Sequence, residues 1–235
     1  MKRLQLVFIL VSAFFSTKAQ DAQQILNRVN SKFAKVKNYQ ADLNLKTDIS
    51  FIKMLPVKAK IFYEQPFKMR IKSTGIAILP RQGFDDMFKA LADTNSYNSL
   101  YQGIDPVDQN LVIVNIIPTS DTTDLVLGRF WINTKSDLIE RSQVTTKQNG
   151  TIQSEFFYGS QKEFALPDSM VVIVDTKKFK IPKAISADIN NYNSEAKNPA
   201  KKNNKGKIYM RFSNYLINKG LPKDIFNRVE KDQLN

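Results

Sequence analysis

Residues 57–72 read VKAKIFYEQPFKMRIK, and this stretch decides the fold class. Apolar side chains alternate with lysine and arginine on both sides of Pro66, which is the period-two pattern of half-buried strands. Pro66 lacks a backbone donor and is tolerated best between two strands. The stretch therefore predicts two neighbouring strands, each with one face toward a core.

The same period recurs over most of the chain. Further strands are predicted at residues 39–46, 97–102, 111–117, 125–133, 138–146, 152–158, 169–175, 208–212 and 215–217. Asn149-Gly150 predicts a hairpin turn, and the continuous apolar run 111–117 predicts a strand buried on both faces. Residues 194–207 contain no large apolar side chain and predict a long, basic, exposed loop.

Helical periodicity is confined to short segments. Ala22, Ile25, Leu26 and Val29 begin an apolar stripe that predicts a helix over residues 21–37. Residues 84–91 predict a short helix, and 223–229 a last helical turn. With one helix ahead of many strands, the fold class is α+β, built on a large antiparallel sheet.

Composition excludes several function classes. The chain has 235 residues, 42% of them apolar, and contains no cysteine and no histidine. A disulfide framework, a thiolate nucleophile, a histidine-dependent triad and a His- or Cys-ligated metal are therefore excluded. We expect residues 20–235 to form a single domain with one core.

Residues 1–19 have the layout of a cleavable export signal. Lys2 and Arg3 precede an apolar run, and Ala19 supplies the small residue before the predicted cleavage point. The run is shorter than the roughly 20 residues of a membrane span. Removing these residues lowers the net charge from +13 to +10, which suits anionic partners such as phospholipid headgroups. No nucleic-acid motif is present, so we expect an exported, soluble protein.

Several segments resemble the LolA-like periplasmic lipoprotein carriers of diderm bacteria. The strand-proline-strand sequence 61–70 is similar to that family's signature, as is the opening helix that leads into residues 39–42. Asn115-Ile116-Ile117-Pro118, followed by Phe130-Trp131-Ile132-Asn133, resembles its central part. Residues 212–215, 218–222 and 225–226 resemble its closing part. Family carriers often have arginine before the signature proline, where this chain has Gln65.

The resemblance implies an incomplete β-barrel with a helical lid, enclosing an apolar cavity. It implies a soluble periplasmic carrier that binds the acyl chains of lipoproteins, with inner-membrane release machinery and an outer-membrane acceptor as partners. We expect a monomer, no catalysis, no cofactor and no metal. The helix at 84–91 is the lid candidate.

Adaptable apolar side chains would line such a cavity, because an acyl chain gains about 0.8 kcal/mol per buried CH₂ without polar anchors. The predicted lining consists of Leu43, Leu45, Ile61, Phe67, Met69, Ile71, Phe84, Met87, Phe88, Leu91 and Trp131. The alternative is that each is an ordinary core residue.

Two other functions stay open. One is a lipid- or lipoprotein-sensing domain of the same fold that regulates a partner protein. The other is a hydrolase using paired carboxylates, for which Asp85/Asp86, Asp105/Asp108 and Asp121/Asp124 are the candidates. The last two pairs are also typical of turns.

Overall fold

A computed structural model describes residues 22–49, 54–73, 93–148, 150–175 and 205–227. It contains ten strands. They are β1 (Asn38–Asp48), β2 (Val57–Glu64), β3 (Lys68–Ser73), β4 (Tyr97–Ile104), β5 (Leu111–Pro118), β6 (Leu125–Asn133), β7 (Leu138–Thr146), β8 (Gly150–Phe157), β9 (Ser169–Asp175) and β10 (Lys205–Ile217).

All ten strands belong to one sheet, in the order β3-β2-β1-β10-β9-β8-β7-β6-β5-β4. Every neighbouring pair is antiparallel. The first and last strands of this order, β3 and β4, do not pair with each other. The sheet is therefore an unclosed barrel, and the predicted α+β class with a large antiparallel sheet is confirmed.

One face of the sheet, here called the inner face, carries the core. Its residues lie side by side in the strand register: Leu43 pairs with Ala59 and Phe212, and Phe130 pairs with Val114. The same buried apolar cluster continues through β8 and β9. Alternate residues on the outer face are mostly polar, which explains the period-two pattern of the sequence.

A helix, α1 (residues 22–33), packs on the inner face. It buries Ala22, Ile25, Leu26 and Val29, as its apolar stripe predicts. Polar side chains fasten it to the turn between β6 and β7: Arg28 Nε lies 2.9 Å from Asp137 Oδ1, and Lys32 Nζ donates to the carbonyl of Ser136. Within the described residues, no helix is long and apolar enough to cross a membrane.

The two ends of the sheet differ in how the chain connects the strands. At one end, the helix end, β1 begins, β10 finishes and the tight turn 65–67 joins β2 to β3. At the other, the loop end, the chain leaves β1, β3 and β9 for the connections 49–56, 74–96 and 176–204. The two longest connections, 74–96 and 176–204, thus leave and re-enter the sheet at the same end, whereas 158–168 joins β8 to β9 at the helix end.

The C-terminal residues return to the outer face after β10. Arg70 Nη1 on β3 donates to the carbonyls of Ile225 and Asn227, each at 2.7 Å. Lys68 Nζ lies 5.8 Å from the centre of the Phe226 ring, and Ile225 is buried. Residues 225–227 are therefore held over β3.

Five local predictions need correction. The helix predicted over residues 21–37 ends at residue 33, and a turn follows it. The final two strands are one, β10, which absorbs Asn214 in a left-handed conformation (φ 52°) and continues to Ile217. Residues 205–207, assigned to the basic loop, begin that strand. Strand β5 is not buried on both faces, because Ile117 is 41% exposed. Residues 223–226 form turns rather than a helical turn.

Three further predictions lie wholly or partly outside the described residues. They are the export signal at 1–19, the lid helix at 84–91 and residues 194–204 of the basic loop.

Candidate functional site

Five predicted lining residues lie together on the inner face. Leu43, Leu45 and Ile61 are buried in β1 and β2. Met69 and Ile71 lie on β3, where Ile71 pairs directly with Ile61. Both β3 residues are only partly buried while packing against the core, so they form the most accessible part of this wall.

The remaining predicted residues are placed differently. Phe67 lies in the turn between β2 and β3 and not in a strand. Phe84, Met87, Phe88 and Leu91 lie outside the described residues.

Trp131 is on the outer face, which corrects its assignment to the lining. Phe130 and Ile132, its neighbours in β6, are fully buried in the inner cluster, so the alternation of the strand turns Trp131 outward. Arg141 Cζ lies 5.0 Å from the centre of the Trp131 ring, and the same guanidinium pairs with the buried carboxylate of Asp105. The backbone N–H of Val107, 2.8 Å away, and then the charge of Arg141 hold the pKa of Asp105 below its usual value.

Four further aliphatic residues of the wall were not predicted from the sequence. Val172 and Val174 on β9, and Ile208 and Met210 on β10, are buried on the inner face. Val172 pairs with Ile208, and Met210 pairs with Met170. The alternation of residues 169–175 carried this signal, because it already predicted a strand with one apolar face.

Aromatic side chains fill the helix end of the inner face. The ring centres of Tyr39 and Tyr63 are 5.4 Å apart, those of Phe33 and Tyr63 are 5.2 Å apart, and Tyr215 lies 5.7 Å from Tyr39. The Tyr215 hydroxyl donates to the carbonyl of Pro167 at 2.8 Å. This cluster, here called the aromatic plug, leaves the aliphatic part of the wall toward the loop end.

Burial keeps the hydroxyls of the plug protonated. Desolvation raises the pKa of Tyr63 to about 12. It also raises the pKa of Tyr39, to which the neighbouring Tyr63 adds, and that of Tyr215. Tyrosine is neutral at physiological pH in any setting, and burial extends the neutral form of the plug to higher pH, in keeping with an apolar interior.

Gln65 occupies the position where the family resemblance implies arginine, and its hydrogen bonds connect two segments of the chain. Its side-chain Nε2 donates to the carbonyl of Ala34 at 3.0 Å, and its backbone N–H donates to the carbonyl of Lys37 at 2.9 Å. The Gln65–Pro66 peptide bond is cis. Gln65 thus fastens the β2–β3 turn to the chain between α1 and β1 by neutral hydrogen bonds.

A groove of about 590 Å³ lies beside the edge strand β4. It is lined by Gln23, Tyr97, Asn98, Ser99, Leu100 and Ile117. Ser99 Oγ donates to Gln23 Oε1 at 3.1 Å, which links the start of α1 to β4.

The arrangement was compared with known proteins. No family model matches the chain, and no curated protein matches it. Solved structures do: a DUF1329 family protein from Desulfovibrio piger superposes with a TM-score of 0.58 at 12% identity, over 89% of this chain and 97% of that one. A LolA superfamily protein from Nitrosomonas europaea gives a TM-score of 0.56 at 10% identity, over 91% of this chain and 99% of that one. The chain has a LolA-like fold.

A third structure agrees with this LolA-like fold. An outer membrane lipoprotein-sorting protein domain from Vibrio parahaemolyticus superposes with a TM-score of 0.52 at 9% identity, over 89% of this chain and 97% of that one. At these identities the likeness shows the fold alone. The resemblance detected in the sequence is thereby confirmed at the level of the fold.

Proposed function

We propose that this chain is a non-enzymatic carrier that shelters the acyl chains of lipoproteins, or of other lipids, against the inner face of its sheet. One observation supports this most: a single large cluster of apolar side chains covers the inner face of an unclosed sheet. An unclosed sheet can part at its two edges, β3 and β4, without breaking a strand pairing.

The wall has the chemistry that a flexible hydrocarbon requires. Met69 and Ile71 are partly accessible at the β3 edge, and Met210 lies among the buried residues. Thioethers repack readily around irregular guests, and each buried CH₂ stabilises the complex by about 0.8 kcal/mol. Affinity then requires no fixed polar anchor.

The cargo would enter from the loop end. The aromatic plug occupies the helix end, whereas Leu43, Leu45, Val172 and Val174 make the wall nearer the loop end aliphatic. The lipoprotein-sorting domain among the similar structures favours lipoproteins as cargo. In that role the chain would act as a soluble periplasmic monomer, exported by residues 1–19, between release machinery at the inner membrane and an acceptor at the outer membrane.

The direct test is extraction of bound lipid. Protein purified from its native compartment is extracted with organic solvent, and the extract is analysed by mass spectrometry; acyl-chain material is expected. Binding of a fluorescent fatty acid is then compared between Ile71→Gln, on the inner face of edge strand β3, and Leu100→Gln, on the outer face of edge strand β4. We expect Ile71→Gln to weaken binding about tenfold, because it places an amide against the hydrocarbon, and Leu100→Gln to leave it unchanged.

Two results would contradict the carrier. One is ligand-free protein that also fails to bind the fluorescent probe. The other is equal weakening by the two glutamine variants, which would place the probe away from the inner face.

A further inference from the structure

The outer face near the loop end carries a concentration of basic side chains on four neighbouring strands, β3, β2, β1 and β10. All of them are exposed. These residues, here called the rim patch, are Lys46, Lys58, Lys60, Lys72, Lys205, Lys207 and Arg211.

Strand register brings these cations together although they are distant in sequence. Asn44 pairs with both Lys58 and Arg211, and Lys60 pairs with Lys72. Neighbouring strands lie about 4.8 Å apart, so four strands place the charges within a band about 15 Å wide. The band follows the rim of the loop end, because β1 finishes there and β10 begins there.

Acidic residues offset only part of this charge: in the strand register Asp48 lies opposite Lys207, and Asp175 lies opposite Lys205. Asp42 and Asp48 are the outward-facing acids of these four strands near the loop end. Asp42 accepts from Lys60 Nζ at 2.6 Å and from Asn214 Nδ2 at 2.8 Å. On the outer face of β4 to β7, by contrast, Arg129 bonds to Asn115 and Arg141 pairs with Asp105.

We propose that the rim patch docks the loop end of the sheet on the anionic phospholipid headgroups of a bilayer. The charges are spread over a broad sheet surface and are not gathered in a pocket, which matches an extended layer of negative charge. Tyr209, paired with Lys46 and 37% exposed, adds the amphipathic ring that favours the headgroup region. The proposal rests on the proposed function only in that docking would present the loop end to an acyl chain at the membrane.

The test uses the purified full-length exported protein and vesicles. Co-flotation is measured with phosphatidylcholine vesicles and with vesicles that also contain phosphatidylglycerol, at low and at raised salt. The patch variant is Lys46→Gln/Lys72→Gln/Lys207→Gln. The matched control, Lys35→Gln/Lys162→Gln/Lys219→Gln, removes the same charge from exposed lysines at the helix end.

Wild-type protein should bind the anionic vesicles and should not bind the neutral ones. Raised salt should release it from the anionic vesicles, because salt screens the charges. Each patch lysine is expected to contribute about fivefold in affinity, so the patch variant should bind about 100-fold more weakly. The control should stay within a few-fold of wild type.

Three outcomes would overturn the proposal. They are absence of binding to anionic vesicles, equal losses in the two triple variants, and binding to soluble polyglutamate without binding to vesicles, which would assign the patch to an acidic protein partner. Fluorescent fatty-acid binding by the same variants separates the two proposals. If the patch variant binds the fatty acid normally but does not bind vesicles, membrane docking and acyl-chain binding are separate properties. If the wild-type protein binds vesicles but no fatty acid, the proposed carrier function is wrong and the docking proposal stands.

Discussion

The hydroxyls of Ser142, Thr146 and Ser154 interrupt the apolar wall of the inner face. Ser142 lies between Phe130 and Ser154 in the strand register and is 3% exposed. Within the part of the chain that the structure describes, its Oγ has no hydrogen-bond partner. A buried polar group without a partner lowers the stability of the folded state.

Replacing this serine should therefore stabilise the protein. We expect Ser142→Ala to raise the free energy of unfolding by about 1 kcal/mol, because it removes an unsatisfied hydroxyl, as measured by urea denaturation. Ser99→Ala is the contrasting variant, since the Ser99 hydroxyl donates to Gln23; it should lower stability. A loss of stability in Ser142→Ala would mean that the hydroxyl is satisfied in the folded protein.

Individual lining residues could be predicted from the sequence only where the alternation was clean. Leu43 and Leu45 alternate with polar residues in β1, and Ile61 continues the alternation of Val57 and Ala59 with lysines in β2. The sequence pattern therefore determined which face of the sheet these three residues take. Trp131 stands in an unbroken run, Phe130-Trp131-Ile132, in which the period says nothing about which face each residue takes. The pairing of Phe130 with Val114 decides that question, and pairing is a tertiary property.

The two edge strands of the sheet are protected to different degrees. Strand β3 places Lys68, Arg70 and Lys72 at alternate positions, and charges on an edge discourage pairing with other chains. Strand β4 contains no charged residue, and its Leu100 and Ile104 are 42% and 58% exposed. The β4 edge is therefore the place where unwanted strand addition is favoured.

A charge on β4 should reduce self-association. We expect Leu100→Lys to change the free energy of unfolding by no more than about 0.5 kcal/mol, because the side chain is exposed, and to lower light scattering at high protein concentration. Val107→Lys adds the same charge at an exposed loop position. Equal improvement in both variants would point to net charge and not to the edge.

Element boundaries were predictable to the extent that local pattern determines them. The sequence placed nine of the strands, but it divided β10 at Ser213-Asn214, because asparagine is typical of turns. Pairing with β1 resumes beyond that point, where Leu216 lies opposite Gln40. The gain from these ladder hydrogen bonds outweighs the local preference of one asparagine, and no local pattern could show it.

Buried tyrosines fill one end of the inner face, and they make the stability of the folded protein fall at alkaline pH. An unfolded tyrosine loses its proton near pH 10, whereas Tyr63 in the folded protein holds its proton to about 12. The unfolded state therefore releases protons first, and stability that is fully present below pH 10 is lost as the pH rises from about 10 to about 12. Tyr39 and Tyr215 act in the same direction.

Removing one of these hydroxyls should reduce the loss of folding stability at alkaline pH. We expect the urea midpoint of Tyr63→Phe to fall less steeply than that of wild type over about pH 10 to 12, although it gives up a 3.3 Å hydrogen bond to the carbonyl of Pro66. Tyr209→Phe, on the outer face, controls for the change of residue type. Parallel slopes for Tyr63→Phe and wild type would show that this tyrosine ionises as readily in the folded protein as in the unfolded one.

The anchoring of the C-terminal residues by Arg70 has a practical consequence. Because Asn227 is held over β3 on the side away from the wall, a fluorophore attached at residue 227 begins its path on the outer face. Labelling there should leave the hydrocarbon-facing interior unobstructed. A label ahead of α1 would instead start beside the groove along β4, so residue 227 is the better attachment point for measuring ligand uptake.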